Sequence, residues 1–198
     1  MLLEGSAVEA LIVGGGGVAA RKADALLHAG ARVRIVAVES CAAVRALAAA
    51  HPRCRLHERA YEPGDIGAAS LVFAATDRAD VNARVAADAA RAHRLVNVAG
   101  DPDAGSFVTV AAHHAGGLTV GVSAGGVPGA AARIRDSLAA RLDARYAAAL
   151  DALADLRRRL LGAGDRDGWR RAADALIDDR FCARVEAGGY AEEVAAWR

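Results

Sequence analysis

The chain has 198 residues, 54% of them hydrophobic, which is enough to bury a core as one large domain or as a domain with an appendage and excludes disorder. Its 25 basic and 24 acidic side chains leave a formal charge of +1, so no global field is available to recruit nucleic acid or an anionic membrane. Any anionic ligand must be met by local charge, nearly all of it arginine, because Lys22 is the only lysine.

Cys41, Cys54 and Cys182 are odd in number and form no C-x-x-C pair, so a reducing compartment is expected and no metal site. The opening residues lack the basic stretch and apolar run of a secretory signal. The longest uncharged run, 104–132, is interrupted by His113, His114, several glycines and Pro128, which makes it a poor membrane span. A cytoplasmic protein without nucleic-acid or membrane partners is expected.

In chain order, 7–13 reads as a short apolar strand ending in four glycines, and 17–29 has helical spacing with Ala19, Ala23, Leu26 and Leu27 on one side. Gly30 closes that helix, and 32–38 alternates as a second strand. Ser40 is placed to cap a helix over 42–50. Further strands are expected at 53–58, 70–75 and 95–99, with a helix from a cap at Asp77 to about His93. Strands alternating with helices imply an α/β fold with a Rossmann-like parallel sheet, its ligand crevice beyond the carboxyl ends of the strands. After residue 105 the pattern changes. Strands over 107–112 and 118–123 follow without a helix between them, then a helix from Ala130 to about Leu161, and further helices after Asp165 and Asp178. The expected division is 1–105, a small β-α region over 106–142, and a helical C-terminal subdomain over 143–198.

Gly14, Gly16 and Ala19 fit G-x-G-x-x-[GA]. The spacing requires a strand that stops sharply, a backbone without Cβ atoms in the way of a pyrophosphate, and a helix whose unpaired N–H groups face it. All three parts occur here in order, which makes Gly14, Gly16, Gly17 and Val18 candidate cofactor contacts; a tight turn without ligand fits the glycines alone. Val38 and Glu39 follow the second strand, where an acid accepts hydrogen bonds from the adenosine ribose and favours NAD, though a surface glutamate near a helix start reads the same. Arg32 or Arg34 could serve a 2′-phosphate if their side chains reached it. Thr76 lies on the crevice side after the fourth strand, where it meets the cofactor or begins a capped helix.

These segments carry a resemblance. Leu11–Ala19 with Arg21 and Lys22, Ala74–Asp77 with Asn82 and Arg84, Asn97-Val98, Ser106-Phe107 and Ser123–Gly126 resemble, in order and spacing, the precorrin-2 dehydrogenase and sirohydrochlorin ferrochelatase family, which includes the N-terminal half of siroheme synthase. Arg145-Tyr146 and Asp178–Phe181 are weaker echoes. The resemblance implies NAD-dependent oxidation of precorrin-2 to sirohydrochlorin, metal insertion in some members, and a homodimer formed through the central region. It implies Asn97, Ser123 and Gly125 as substrate contacts, and a substrate with many carboxylates asks for arginines at the crevice such as Arg133, which otherwise reads as part of a solvated helix face paired with Asp136 one turn along.

Two departures bear on it. The family's aspartate after the fifth strand is here Gly100, with Asp101 next, so Asp101 is the candidate catalytic carboxylate, although 101–105 also reads as an ordinary turn. A serine of the family is replaced by Ala124. Both changes weaken metal insertion more than dehydrogenation, and a non-catalytic NAD- or tetrapyrrole-binding module is the alternative. His113 and His114, adjacent on a strand, point to opposite faces and suit no single metal ion.

Overall fold

The computed structural model describes residues 3–197, and the chain divides into a unit ending at Thr109 and one beginning at Val110. The first holds β1 (Glu9–Val13), α1 (Gly17–His28), β2 (Arg32–Ala37), α2 (Ala42–Ala50), β3 (Cys54–Glu58), β4 (Leu71–Ala74), α3 (Ala79–Arg91) and β5 (Leu95–Val98). The strands are parallel in the order β3-β2-β1-β4-β5, the expected α/β arrangement. The chain steps outward from β1 to β3 and then crosses back to β4 on the other side of β1. Connections therefore diverge above the β1 and β4 carboxyl ends, which is where such a sheet opens a crevice.

Alternation along the strands sorts side chains onto two faces. Ala10, Ile12, Ile35 and Phe73 pack with Ala19, Ala23 and Leu27 of α1 and Val44 of α2. Leu11, Val13, Val36 and Val72 pack on the other face with Val85 and Ala89 of α3. Leu11 and Ile12, both fully buried, each contribute about 1.5–3 kcal/mol relative to exposure. Because β1 is covered on both faces, its apolar run does not alternate with polar residues.

Local details differ from the sequence expectations. Ser40 caps nothing: Cys41 is the N-cap of α2, and the Ser40 hydroxyl donates instead to Glu58 Oε1 at 2.5 Å. Asp77 is not the cap of α3 either, since Arg78 occupies that position and its N–H donates to Thr76 Oγ1. Phe107 is not in a strand; its ring meets Phe73 edge-on at 5.4 Å, which holds it in the first unit.

The second unit starts with an antiparallel hairpin, β6 (Ala111–Ala115) and β7 (Leu118–Val122), turned by Gly116 and Gly117. Gly116 has φ +54°, and a Cβ there would sit 2.8 Å from Ala147 Cβ, so only glycine fits. The helix expected over 130–161 is two helices, α4 (Pro128–Ala139) and α5 (Ala144–Gly162). Asp143 caps α5 by accepting from the Arg145 N–H, and His113 Nε2 meets the Leu142 carbonyl at 2.7 Å. A carbonyl can only accept, so that ring nitrogen carries the proton. The remaining helices are α6 (Arg166–Leu176), capped by Asp165, α7 (Phe181–Ala187) and α8 (Tyr190–Ala195). Tyr146, Leu153, Leu156, Leu176, Val185 and Val194 form this unit's core. Among the described residues no helix is long and apolar enough to cross a membrane.

Candidate functional site

The four glycines between β1 and α1 divide into two pairs. A Cβ on Gly14, where φ is +128°, would stand 2.2 Å from the Ala75 carbonyl oxygen, and one on Gly15 2.0 Å from that of Glu39. These two let the turns after β4 and β2 close against the end of β1. They are tied there by Gly14 N–H donating to Val36 O at 2.9 Å and Cys41 N–H donating to Gly15 O at 2.8 Å. Gly16 and Gly17 are exposed, and a Cβ on Gly16 would meet nothing within 4 Å. Gly16 is the N-cap of α1 and brings no capping side chain, and the first turn has no acid. Its orphan N–H groups and the positive end of the helix dipole thus face bare space, the condition under which a phosphate binds.

That space belongs to a cavity of about 800 Å³ lined by Gly14–Gly16, Val36–Cys41, Arg59–Tyr61 and the turn after β4. Its guanidinium groups are already engaged. Arg59 makes two bonds to the buried Asp65, at 2.8 and 2.6 Å, holding that carboxyl below the usual range. Arg78 pairs with Asp80 at 2.8 Å. Arg84 lies over the Tyr61 ring at 5.5 Å and donates to the Tyr61 carbonyl. The Tyr61 hydroxyl donates to Asp88 at 2.8 Å, and burial, followed by that bond, raises its pKa well above the ordinary value. Glu39 also lines this cavity and is exposed.

The turn after β4 is held by one buried side chain. Asn82 Oδ1 accepts from the Thr76 N–H at 3.1 Å and from the Thr76 hydroxyl at 2.7 Å, while its Nδ2 donates to the Thr76 carbonyl at 3.0 Å. Thr76 and Asp77 border both the large cavity and a second one of about 320 Å³, whose far wall is Val98–Asp101 with Ala104. Gly100 has φ +83°, a conformation that favours glycine, and a Cβ there would meet nothing within 4 Å. The next residue, Asp101, caps a short 3-10 turn at Pro102–Ala104: its Oδ1 accepts from the Ala104 N–H at 3.2 Å. The side chain is exposed at the cavity edge.

The first unit thus gathers Gly14, Gly16, Val38, Glu39 and Thr76 around one cavity and Asp101 beside the next. Gly17 and Val18 form the first turn of α1 behind Gly16. Asn97 is elsewhere: it is buried, with Oδ1 accepting from Lys22 Nζ at 2.7 Å and Nδ2 donating to the Phe107 carbonyl at 3.1 Å, and it lines neither cavity. Burial, and then Arg21, lower the Lys22 pKa. Ser123, Gly125 and Arg133 are exposed residues of the second unit. Asp136, expected opposite Arg133, pairs with Arg135. His114 Nδ1 lies 3.1 Å from Thr119 Oγ1. Sequence reasoning missed Gly15, Arg59 and Tyr61, and gave Arg84 no role beyond its place in the resemblance. Their only common signal is position in loops or helix starts on the carboxyl side of the sheet.

Residues 1–111 match NAD_binding_7, a family model for NAD(P)-binding domains. Siroheme synthase of Chromobacterium violaceum is 42% identical over 137 residues, 69% of this chain and 29% of that protein. Siroheme synthase 1 of Pectobacterium atrosepticum is 35% identical over 182 residues, 90% of this chain and 37% of that protein. The chain spans about a third of the length of these curated relatives. A solved structure described as SirC, precorrin-2 dehydrogenase, superposes with a TM-score of 0.76 at 22% identity, covering 98% of each chain, and shows the fold.

Proposed function

Because this chain belongs to the NAD_binding_7 family of NAD(P)-binding domains, we propose that it uses NAD to oxidise precorrin-2 to sirohydrochlorin. The observation that carries this is the pair of adjoining cavities sharing Thr76 and Asp77, one fronting the uncapped start of α1 and the other edged by the Asp101 carboxylate. The names of the curated relatives and the segments of resemblance support the choice of substrate.

In this reading the amides of Gly16, Gly17 and Val18 hold the pyrophosphate, with Gly14 supplying the turn that leaves room for it. Val38 and Glu39 meet the adenosine ribose. A 2′-phosphate there would face the Glu39 carboxylate, while Arg59 and Arg78 are committed to Asp65 and Asp80, which favours NAD over NADP. Thr76, locked by Asn82, keeps the rim between the cavities in place. The bound dinucleotide supplies a hydride acceptor. Precorrin-2 gives up a hydride and a proton, and Asp101, with one oxygen held by the Ala104 N–H, takes the proton through the other.

The same family reading makes the protein a homodimer through the hairpin region, where Val108, Val110, Val127 and Ile134 are exposed. Sedimentation at micromolar concentration checks this; a monomer overturns it. The free cysteines Cys41, Cys54 and Cys182 support residence in the reducing cytoplasm. The deciding experiment for the activity is incubation of the purified protein with precorrin-2 and NAD. NADH and the sirohydrochlorin spectrum are expected together, and no NADH from verified precorrin-2 removes the proposal.

A further inference from the structure

Residues 99–105 form a closed loop that carries Gly100 and Asp101 in its outgoing half, where the Asp101 N–H donates to Val98 O at 3.3 Å, and the Asp101 carboxylate reaches across to the Ala104 N–H of the returning half. At the outgoing end the Ala99 N–H donates to the Ala74 carbonyl at 2.8 Å. At the returning end Ser106 closes on Val96 twice, its N–H donating to Val96 O at 2.7 Å and its hydroxyl accepting from the Val96 N–H at 2.8 Å. Gly105 allows this approach, since a Cβ there would lie 3.0 Å from Val96 O. One residue further on, the Phe107 carbonyl is held by Asn97 Nδ2, and Asn97 Oδ1 is held by Lys22.

We propose that Lys22 is a positioning residue for the Asp101 carboxylate: acting through the Asn97 amide, it fixes the returning base of the loop and so sets where the Ala104 N–H holds that group. This rests on the role given to Asp101 above. The chain of contacts is continuous and directional. Lys22 has only donors, so it commits Asn97 Oδ1 as acceptor and thereby turns Nδ2 toward Phe107. Its ammonium lies over the Phe73 ring, 4.9 Å from the centroid, and Phe73 also meets Phe107 edge-to-face. Without the ammonium, the Asn97 amide is oriented by the Phe107 carbonyl alone and its buried Oδ1 loses its donor, which weakens the buried tie at the loop base. None of these residues borders the large cavity, so dinucleotide binding does not depend on them. A shift of a carboxylate by about 1 Å is enough to cost turnover up to about a hundredfold.

Lys22→Met keeps the stem and removes the donor. Asn97→Asp keeps an acceptor for Lys22 and removes the donor to Phe107. In both, amide exchange of Ala104–Phe107 is expected to speed up about tenfold while β1 and β4 amides keep their protection. NAD affinity should stay within about twofold and kcat for precorrin-2 oxidation should fall about tenfold, a split that general destabilisation does not produce. Unchanged exchange at 104–107 in either variant overturns the clamp. So does full turnover despite a loosened loop, or NAD affinity that falls in step with turnover. If the unmodified protein binds NAD and leaves precorrin-2 untouched, the proposed activity fails, whereas loop exchange still decides whether Lys22 and Asn97 hold the loop.

Discussion

The two cavities that meet at Thr76 are built by different means. The larger one is framed by backbone: Gly14 and Gly15 admit neighbouring carbonyls within a Cβ's reach, and Arg59 and Arg78 are paired with Asp65 and Asp80. The smaller one has a wall of loop, with a left-handed glycine at 100 and a carboxylate tied by a single amide at 101. On the proposed function, the difference teaches that cofactor seating is written into strand ends, where substitutions should break folding or binding. On that reading the chemistry falls to a separate closed loop, where substitutions should change rate alone.

The largest expected effect tests the loop side. Asp101→Asn should leave NAD affinity unchanged and lower kcat by about 10²–10⁴, the usual worth of a positioned base, in a steady-state assay of NADH formation. A fall in NAD affinity instead would join the two cavities into one functional unit. On the frame side, the glycine pairs should separate. Gly15→Ala drives a Cβ toward the Glu39 carbonyl and should lower stability by about 3 kcal/mol in denaturant melts. Gly16→Val should leave stability nearly unchanged and weaken NAD about a hundredfold by calorimetry, because its side chain enters the space assigned to the pyrophosphate. Equal stability losses at both positions contradict the division.

Glu39→Ala should weaken NAD about tenfold and leave NADP binding equal or better, which narrows the preference between them. The smallest effect concerns the brace behind the cavity. Hydrogen bonding from Arg59 first, with help from the Glu62 N–H, keeps the Asp65 pKa below 3.8 in the folded chain. A carboxyl whose folded pKa is depressed stabilises the fold at every pH above its unfolded value, and this is lost as pH falls from about 4 through the folded value. Asp65→Asn should therefore cost about 1–2 kcal/mol at pH 7, and the difference from the unmodified protein should shrink below about pH 4 in melts across pH.

The parallel sheet and its crevice were legible because each βα unit encodes itself locally, through an apolar run, a glycine turn and a helical period. What escaped notice depends on contacts distant in sequence. Nothing around Gly14–Gly17 says which two glycines receive the carbonyls of Ala75 and Glu39, since those come from other strands. The resemblance implies Asn97 as a substrate contact, yet its side chain faces inward to Lys22, a partner 75 positions away. The Ala-rich stretch around 140 suits a continuous helix; the break is made by Asp143 capping and by His113 taking the Leu142 carbonyl. Tyr61 gave no signal because its pairing with Arg84 joins a loop after an edge strand to a helix face.

Lys22 offers a practical handle that follows from its solitude. A reagent that acylates ε-amines finds a single side chain to attack, and that side chain is occupied with an amide and an aromatic ring. The rate at which Lys22 is modified is therefore a one-residue gauge of how often the ground beneath the Asp101 loop gives way, readable by mass spectrometry without substrate.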